Sequence, residues 1–349
     1  MNHGAIASLV SEFLERPGNI RRSLAAGAAL LESGQPELAV AVWTLGDDAN
    51  SMLRRLKDHA DAPERGRRLS ALADATLRQF LTALHQRSVD RFEAQTGVLV
   101  PRVRNAVWTL THTSAIEFRE PMQRPLIFYM PDLPAAPVEP NSRFDWIANL
   151  ESAFDAIRRE YAEVVRAGID AEPYVPAGAL AREWMKLSGS LDWSAIHLYQ
   201  NAKPTPATER FARTTRALDA VQLVRIDGVP MEVFFSRLRP GAHIPPHHGL
   251  TNTRVTVHLP LVVPADCAIR VARTVHAWRE GEAFAFDDSF EHEAWNRSTA
   301  DRVVLIFEAH HPDLAPTERE AIEHVYAARQ QWLDARHARI AEWLRSAGT

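Results

Sequence analysis

The residues that could do chemistry here are the histidines, of which the chain has fifteen. Neutral imidazole binds first-row transition metals and also titrates near neutral pH. Two histidines stand in defined settings. His247 lies in GAHIPPHHGL, a turn bounded by Pro and Gly ahead of a β-rich stretch, and His292 lies in DDSFEHEAW, just after a short apolar run and 45 residues further on. Arg302 follows His292 by ten residues, where another apolar run begins. Two imidazoles can hold a divalent metal, and a guanidinium presents a forked donor pair that a carboxylate accepts bidentately. His243, His248, His310 and His311 have no comparable spacing. Cys267 is the only cysteine, which excludes an intramolecular disulfide, a thiolate zinc site and an iron–sulfur cluster, and fits a reducing compartment.

Side chains alternate along a strand, so in Thr253–Leu261 the polar Arg254, Thr256 and His258 share one face and Val255, Val257 and Leu259 the other. Taken alone, such a strand suits a sheet with a solvated polar exterior. In Val303–Phe307 the same alternation puts Arg302, Val304 and Ile306 together, and Asp301 and Glu308 are at hand as rim ion-pair partners for Arg302. Asp287, Asp288, Glu291 and Glu293 flank His292 and could orient its free ring nitrogen.

Several elements must position these groups. Residues 1–120 read as helical: Ile20 to Trp43 is a hairpin broken at Gly34–Pro36, similar to one tetratricopeptide unit, and residues 67–92 carry one apolar stripe. A lone unit cannot make a solenoid, so the hairpin is expected to pack on its own neighbours. Five prolines between 125 and 140 forbid a regular helix, and a helix is expected from Trp146 to Val165, which makes 121–172 a connector. Over 173–315 the period becomes two. Short Val/Ile/Phe-rich runs at 221–224, 231–238, 255–263, 268–275, 283–286 and 303–307 predict an antiparallel jelly roll. Residues 316–349 return to helix, with Thr317 and Glu320 as a capping box. The fold class is therefore mixed α and β: a helical N-terminal region, a C-terminal double-stranded β-helix (jelly-roll, cupin-like) domain and a closing helix.

PGAHIPPHHGLTNTRVTVHLPLVVP, WREGEAFAFDDSFEHEAWNRS and VVLIFEAHHPDL resemble the core blocks of the aspartyl/asparaginyl β-hydroxylase family, iron(II)- and 2-oxoglutarate-dependent oxygenases of the jelly-roll class. QRPLIFYMPDLPAAPVEP resembles the segment before this domain in bacterial members, so the resemblance runs from about residue 120 to 315. It implies that His247 and His292 hold Fe(II), that Ser236 and Arg302 grip the distal carboxylate of 2-oxoglutarate, and that His258 contacts its metal-chelating end. O2 is the third participant, and the product is a hydroxylated substrate beside succinate and carbon dioxide. The generic iron triad carries an acid two positions after its first histidine; this chain has Gly249 there, and a two-histidine site without that acid is itself characteristic of the family. Trp278 and Trp295 match family positions and read as core or hairpin packing.

A formal net charge of −4, with 46% hydrophobic and 24% charged residues, is ordinary for a globular chain and gives no electrostatic reason to bind nucleic acid or an anionic membrane. The N-terminus lacks a secretory pattern and no apolar run approaches the ~18 residues of a membrane span, so a cytoplasmic address is expected. Arg254 shares the polar face with His258, and an unpaired buried guanidinium is costly. A carboxylate-bearing substrate is therefore expected: a small or carrier-bound amino acid, or a short peptide, hydroxylated at carbon β with Arg254 as its partner. Thr256 stands where protein-directed relatives are expected to carry a further arginine. The alternative is a non-catalytic cupin-like scaffold with a helical protein-binding module.

Overall fold

The computed structural model describes residues 2–113, 116–178 and 181–347. It divides into two compact units, Met1–Ile116 with Glu320–Thr349, and Glu117–Arg319. The boundaries differ from those read in the sequence: segment 320–349 joins the N-terminal helices instead of forming a separate tail, and the proline-rich connector belongs to the β unit.

In the first unit, helices α1 (His3–Glu15), α2 (Ile20–Glu32), α3 (Pro36–Ala49) and α4 (Glu64–Thr96) follow one another. Asn2 and Asn19 cap α1 and α2 by accepting the N–H of Ala5 and Arg22, which satisfies donors that a helix start otherwise leaves orphaned. The α2–α3 break falls at Gly34, whose φ of +79° favours glycine, and Pro36 opens α3 where its missing N–H costs nothing. Leu24, Leu30, Val40 and Trp43 of this hairpin are buried with Phe13 of α1, Leu77 and Leu81 of α4, and Trp332 and Ile340 of the C-terminal segment. The hairpin thus closes a local core with its neighbours.

Inside this unit His85 is buried, with Nε2 3.0 Å from the carbonyl of Val103 and Nδ1 receiving the Trp108 indole N–H at 3.4 Å. A carbonyl can only accept and an indole can only donate, so both contacts require the neutral ring. Burial, the largest cause, pulls the His85 pKa down to about 4. The unfolded chain takes up this proton near pH 6.5 and the folded one only near 4, so stability present above about pH 6.5 is lost as pH falls through that window, by roughly 3 kcal/mol. Urea unfolding between pH 7.5 and 4.5 is expected to show a steeper loss for wild type than for His85→Gln. Equal slopes would refute the assignment.

The second unit holds eleven principal strands: β1 (Val138–Glu139), β2 (Glu172–Pro173), β3 (Trp193–Gln200), β4 (Glu232–Leu238), β5 (His243–His247), β6 (Arg254–Val262), β7 (Cys267–Val271), β8 (Thr274–His276), β9 (Phe284–Phe286), β10 (His292–Asn296) and β11 (Arg302–His310). The larger sheet runs β1-β9-β6-β11-β4-β3-β2 and the smaller β5-β10-β7-β8, with antiparallel pairing throughout both. Two facing antiparallel sheets whose strands cross between them in this order form a jelly roll.

The outer face of the large sheet, with Val233, Phe235, Val255, Val257, Leu259, Leu305 and Phe307, is apolar. It is covered by Ile147 and Leu150 of α5 (Ile147–Ser152) and Ile157 and Val164 of α6 (Phe154–Arg166). Arg254, Thr256, His258 and Arg302 point the other way and are all buried. This reverses the simplest reading of a polar-faced strand: the polar face lines the interior and the apolar face lies under helices. Ala153 interrupts the helix expected over 146–165.

Other departures are local. Residues 221–224 form no strand beyond a bridge from Leu223 to Ala309. Strand β3 was not anticipated, and the expected turn at His247 is the end of an edge strand. The C-terminal helical segment starts at Pro316, and Glu318 accepts the N–H of Ala315 at 2.9 Å, so Thr317 and Glu320 are not its cap.

Candidate active site

Strand β5 contains Pro245 and Pro246, residues without an N–H, and it can do so because it lies at the edge of the smaller sheet. Its pairing with β10 sets His247 directly opposite His292, which closes the 45-residue separation into one contact with ring centroids 4.0 Å apart. Each Nδ1 lies against a carbonyl two residues back, His247 with Pro245 at 2.8 Å and His292 with Phe290 at 2.9 Å. Because a carbonyl only accepts, Nδ1 must carry the proton in both rings, which leaves Nε2 with a lone pair. Burial lowers the pKa of His247 to about 3 and of His292 to about 4. Both rings are therefore neutral at pH 7, the form that binds metal.

None of the acids flanking His292 reaches its ring through a carboxylate. Asp287 braces the loop through Ser289 and Gln123, while Glu291 and Glu293 hold Arg270 and Glu293 also holds His243. Asp288 turns into the cavity and stands where the missing side chain of Gly249 would go. A Cβ added at Gly249 would lie 2.1 Å from the Asp288 carboxyl carbon, and the Gly249 N–H donates to the Asp288 carbonyl at 2.6 Å. Among the described residues no group of three or more His, Cys, Asp or Glu side chains is placed to hold a metal ion, so Asp288 does not complete a facial triad. Gly249→Ala is expected to drive the Asp288 carboxylate from its place and cost roughly 1–3 kcal/mol through overpacking; unaltered urea unfolding would show that the loop yields freely.

The pair opens into a cavity lined by groups from both sheets, among them Ser236, His258, Asp288, Arg302 and Glu308. Arg302 is 1% exposed. Its Nη1 donates to Ser236 Oγ at 3.2 Å, its guanidinium lies 4.5 Å from the centroid of the Trp278 ring, and its Nε has no hydrogen-bond partner. The rim ion pair open to Arg302 on sequence grounds does not form: Asp301 approaches Arg237 at 3.9 Å, and Glu308 pairs with Arg254 at 2.7 Å. No carboxylate pairs with Arg302 among the described residues, and burial drags its pKa down to about 10. Ser236 Oγ also accepts the Trp193 indole N–H at 3.1 Å, so its own hydroxyl proton remains available for a ligand. His258 is 5% exposed, and its Nδ1 has no hydrogen-bond partner.

Five of the six site residues named from the sequence, His247, His292, Ser236, His258 and Arg302, line this one cavity. Arg254 does not line it. Its pairing with Glu308 removes the premise of an unpaired guanidinium that needs a substrate carboxylate. Tyr174, Trp193 and Glu232 do line it and were not foreseen. For Glu232 the usable signal was the period-two run 231–238, which puts it on the same face as Ser236.

Residues 151–312 match the family model described as aspartyl/asparaginyl beta-hydroxylase. That match takes in 162 of the 349 residues, just under half of the chain, and makes this stretch similar to the family. Human aspartate beta-hydroxylase domain-containing protein 1 is 35% identical over 212 residues, covering 59% of this chain and 52% of that protein. Mouse aspartyl/asparaginyl beta-hydroxylase is 35% identical over 143 residues, 38% of this chain and 18% of that one. The chain thus spans about half the length of the former and under a fifth of the latter. A 2OG-Fe(II) oxygenase family oxidoreductase from Burkholderia pseudomallei aligns over 48% of this chain and 91% of its own at 14% identity and a TM-score of 0.30; the jelly roll is read from strand order, independently of that alignment. No described helix is long and apolar enough to cross a membrane.

Proposed function

We propose that the chain is an iron(II)- and 2-oxoglutarate-dependent dioxygenase that hydroxylates an amino acid, a carrier-bound amino acid or a peptide, at carbon β. The observation that carries this reading is Arg302, a guanidinium sealed into the cavity beside an available serine hydroxyl with no carboxylate of its own. A buried unpaired charge is costly, and a ligand carboxylate removes that cost. The donor set at the other groups also fits: two neutral imidazoles with Nε2 free suit iron(II).

In this reading His247 and His292 hold the metal through Nε2, their rings fixed by the carbonyls of Pro245 and Phe290. Arg302 and Ser236 bind the distal carboxylate of 2-oxoglutarate, and His258 faces its 2-oxo-acid end. Bound iron, with O2 and the 2-oxo acid, supplies the oxidising power, while the protein contributes orientation and a water-poor pocket. Two histidines as protein donors would leave the rest of a metal's shell to small ligands, and Asp288 is a carboxylate that faces the same cavity.

The test is anaerobic addition of iron(II) and 2-oxoglutarate to the full chain, followed by visible spectroscopy and then by succinate release on admitting O2. A weak charge-transfer band and substrate-independent succinate formation are expected. Absence of both would point to the scaffold alternative.

A further inference from the structure

The interior face of β11 carries Arg302, Val304, Ile306 and Glu308 in register. Arg302 and Glu308 therefore stand on the order of 20 Å apart along one strand, at ~3.3 Å per residue, and the cavity has chemically opposite ends. At the Arg302 end the groups are Ser236, His258 and the guanidinium, which suit an anion. At the Glu308 end the lining includes Glu232, Asp288 and Glu308 together with the rings of Tyr174 and Phe234.

Those three carboxylates act on one another and on a common point. Burial first, and then Asp288 and Glu232, push the Glu308 carboxyl up to about 7, and after burial all three acids push the Tyr174 hydroxyl upward. Arg254 is the cation that opposes them, and it is engaged by Glu308 at 2.7 Å. Glu232 has no lysine or arginine partner among the described residues; its Oε1 accepts the Asn201 N–H at 3.0 Å, and His197 Nδ1 stands 3.6 Å from Oε2, beyond hydrogen-bond reach. The buried Oδ1 of Asp288 accepts no hydrogen bond among the described residues. Three acids thus face one guanidinium in a partly desolvated wall, where burial favours their neutral forms and an arriving cation would favour the charged ones.

The aromatic groups reinforce that reading. Tyr174 stacks on Trp193 at 3.9 Å between ring centroids, with Phe234 at 5.3 Å and His197 at 6.0 Å. Ring faces beside carboxylates are the ordinary surroundings of a bound ammonium group.

The geometry points to a substrate that carries an ammonium group, received at the Glu232–Glu308 end of the cavity, with Glu232 as the specificity-determining residue. This rests on the oxygenase reading above and narrows its substrate class. It also replaces the carboxylate recognition by Arg254 that the sequence alone suggested, since Arg254 holds Glu308 in place.

The test uses the full chain with iron(II), 2-oxoglutarate and O2, and four probes: lysine amide, its Nα-acetyl form, its Nε-acetyl form and the doubly acetylated form. Succinate release above the substrate-free rate is expected with probes that keep an ammonium. The two singly acetylated compounds decide whether the α-amine or the side-chain amine is the one received, and the doubly acetylated compound should be inert. Glu232→Gln is expected to raise KM for the active probe about tenfold or more, without a matching rise in KM for 2-oxoglutarate. Equal stimulation by the doubly acetylated probe, or an unchanged probe KM in Glu232→Gln, would overturn the inference.

Thermal stabilisation by the same probes is measured in parallel on protein without iron. Stabilisation by lysine amide that is lost in Glu232→Gln supports the ammonium subsite, and stabilisation independent of the amine overturns it. Absence of any 2-oxoglutarate turnover overturns the oxygenase reading alone, because the binding measurement still decides the subsite.

Discussion

His247→Ala and His292→Ala are each expected to abolish iron-dependent 2-oxoglutarate turnover while the jelly roll stays folded. With no third His, Cys, Asp or Glu side chain completing a metal set among the described residues, losing one imidazole removes half of the protein's metal donors. Loss of an outer partner of a metal ligand already costs about 10–100-fold in metal affinity or activity, so loss of a ligand should exceed that. The fold has independent support: His247 ends an edge strand and His292 is one residue of a five-residue pairing with β7, while the large sheet's core lies on its far side under α5 and α6. Iron content after anaerobic loading, succinate release, and the urea transition of each variant separate the two effects. Near-normal succinate release from either variant, with the transition unchanged, would remove the histidine pair from the proposed centre.

The residues that share the cavity were more legible in the sequence than the elements that carry them, for reasons visible in particular residues. His247, His292 and Arg302 carry unusual side chains at fixed spacing within strongly patterned segments, and antiparallel pairing translates such spacing into contact. The alternation of Arg254, Thr256 and His258 was equally legible, but not which face was inside. That depends on α5 and α6 covering the valine face, a long-range choice that period two does not encode. Strand β3 escaped notice because WSAIHLYQ mixes polar and apolar residues on both faces, and its Trp193 and His197 have meaning only once Ser236 and Glu232 of the neighbouring strand stand close to them. Glu308 shows the same limit. At the far end of the run that Arg302 opens, it reads as that residue's partner, yet being an even number of residues away on a strand puts it on the same face some 20 Å further along, where Arg254 awaits it. Asp288 could not be assigned until the Cβ-free space at Gly249 was seen.

Arg302→Lys should weaken 2-oxoglutarate binding, and Arg302→Ala should weaken it further, with iron affinity little changed in both. The guanidinium has one nitrogen on Ser236 Oγ and its plane near Trp278, so the remaining fork is presented to the cavity in a fixed orientation. Lysine keeps the charge and loses both the fork and the planar contact with the indole. Removing a charge-assisted hydrogen-bonding partner costs about 1.5–3 kcal/mol, which is roughly a 10- to 150-fold rise in the dissociation constant at 1.4 kcal/mol per tenfold. Alanine also empties space in a site that is 1% exposed, so some loss of stability accompanies it, and the lysine variant is the cleaner probe because it fills most of that volume. Ser236→Ala, which removes the hydroxyl both Arg302 and Trp193 use, should shift the same constant in the same direction by a smaller amount. The measurement is the 2-oxoglutarate concentration dependence of the anaerobic charge-transfer band, which reports binding without turnover. If Arg302→Ala binds 2-oxoglutarate as tightly as wild type, the buried guanidinium serves the packing around Trp278 and the carboxylate lies elsewhere in the cavity.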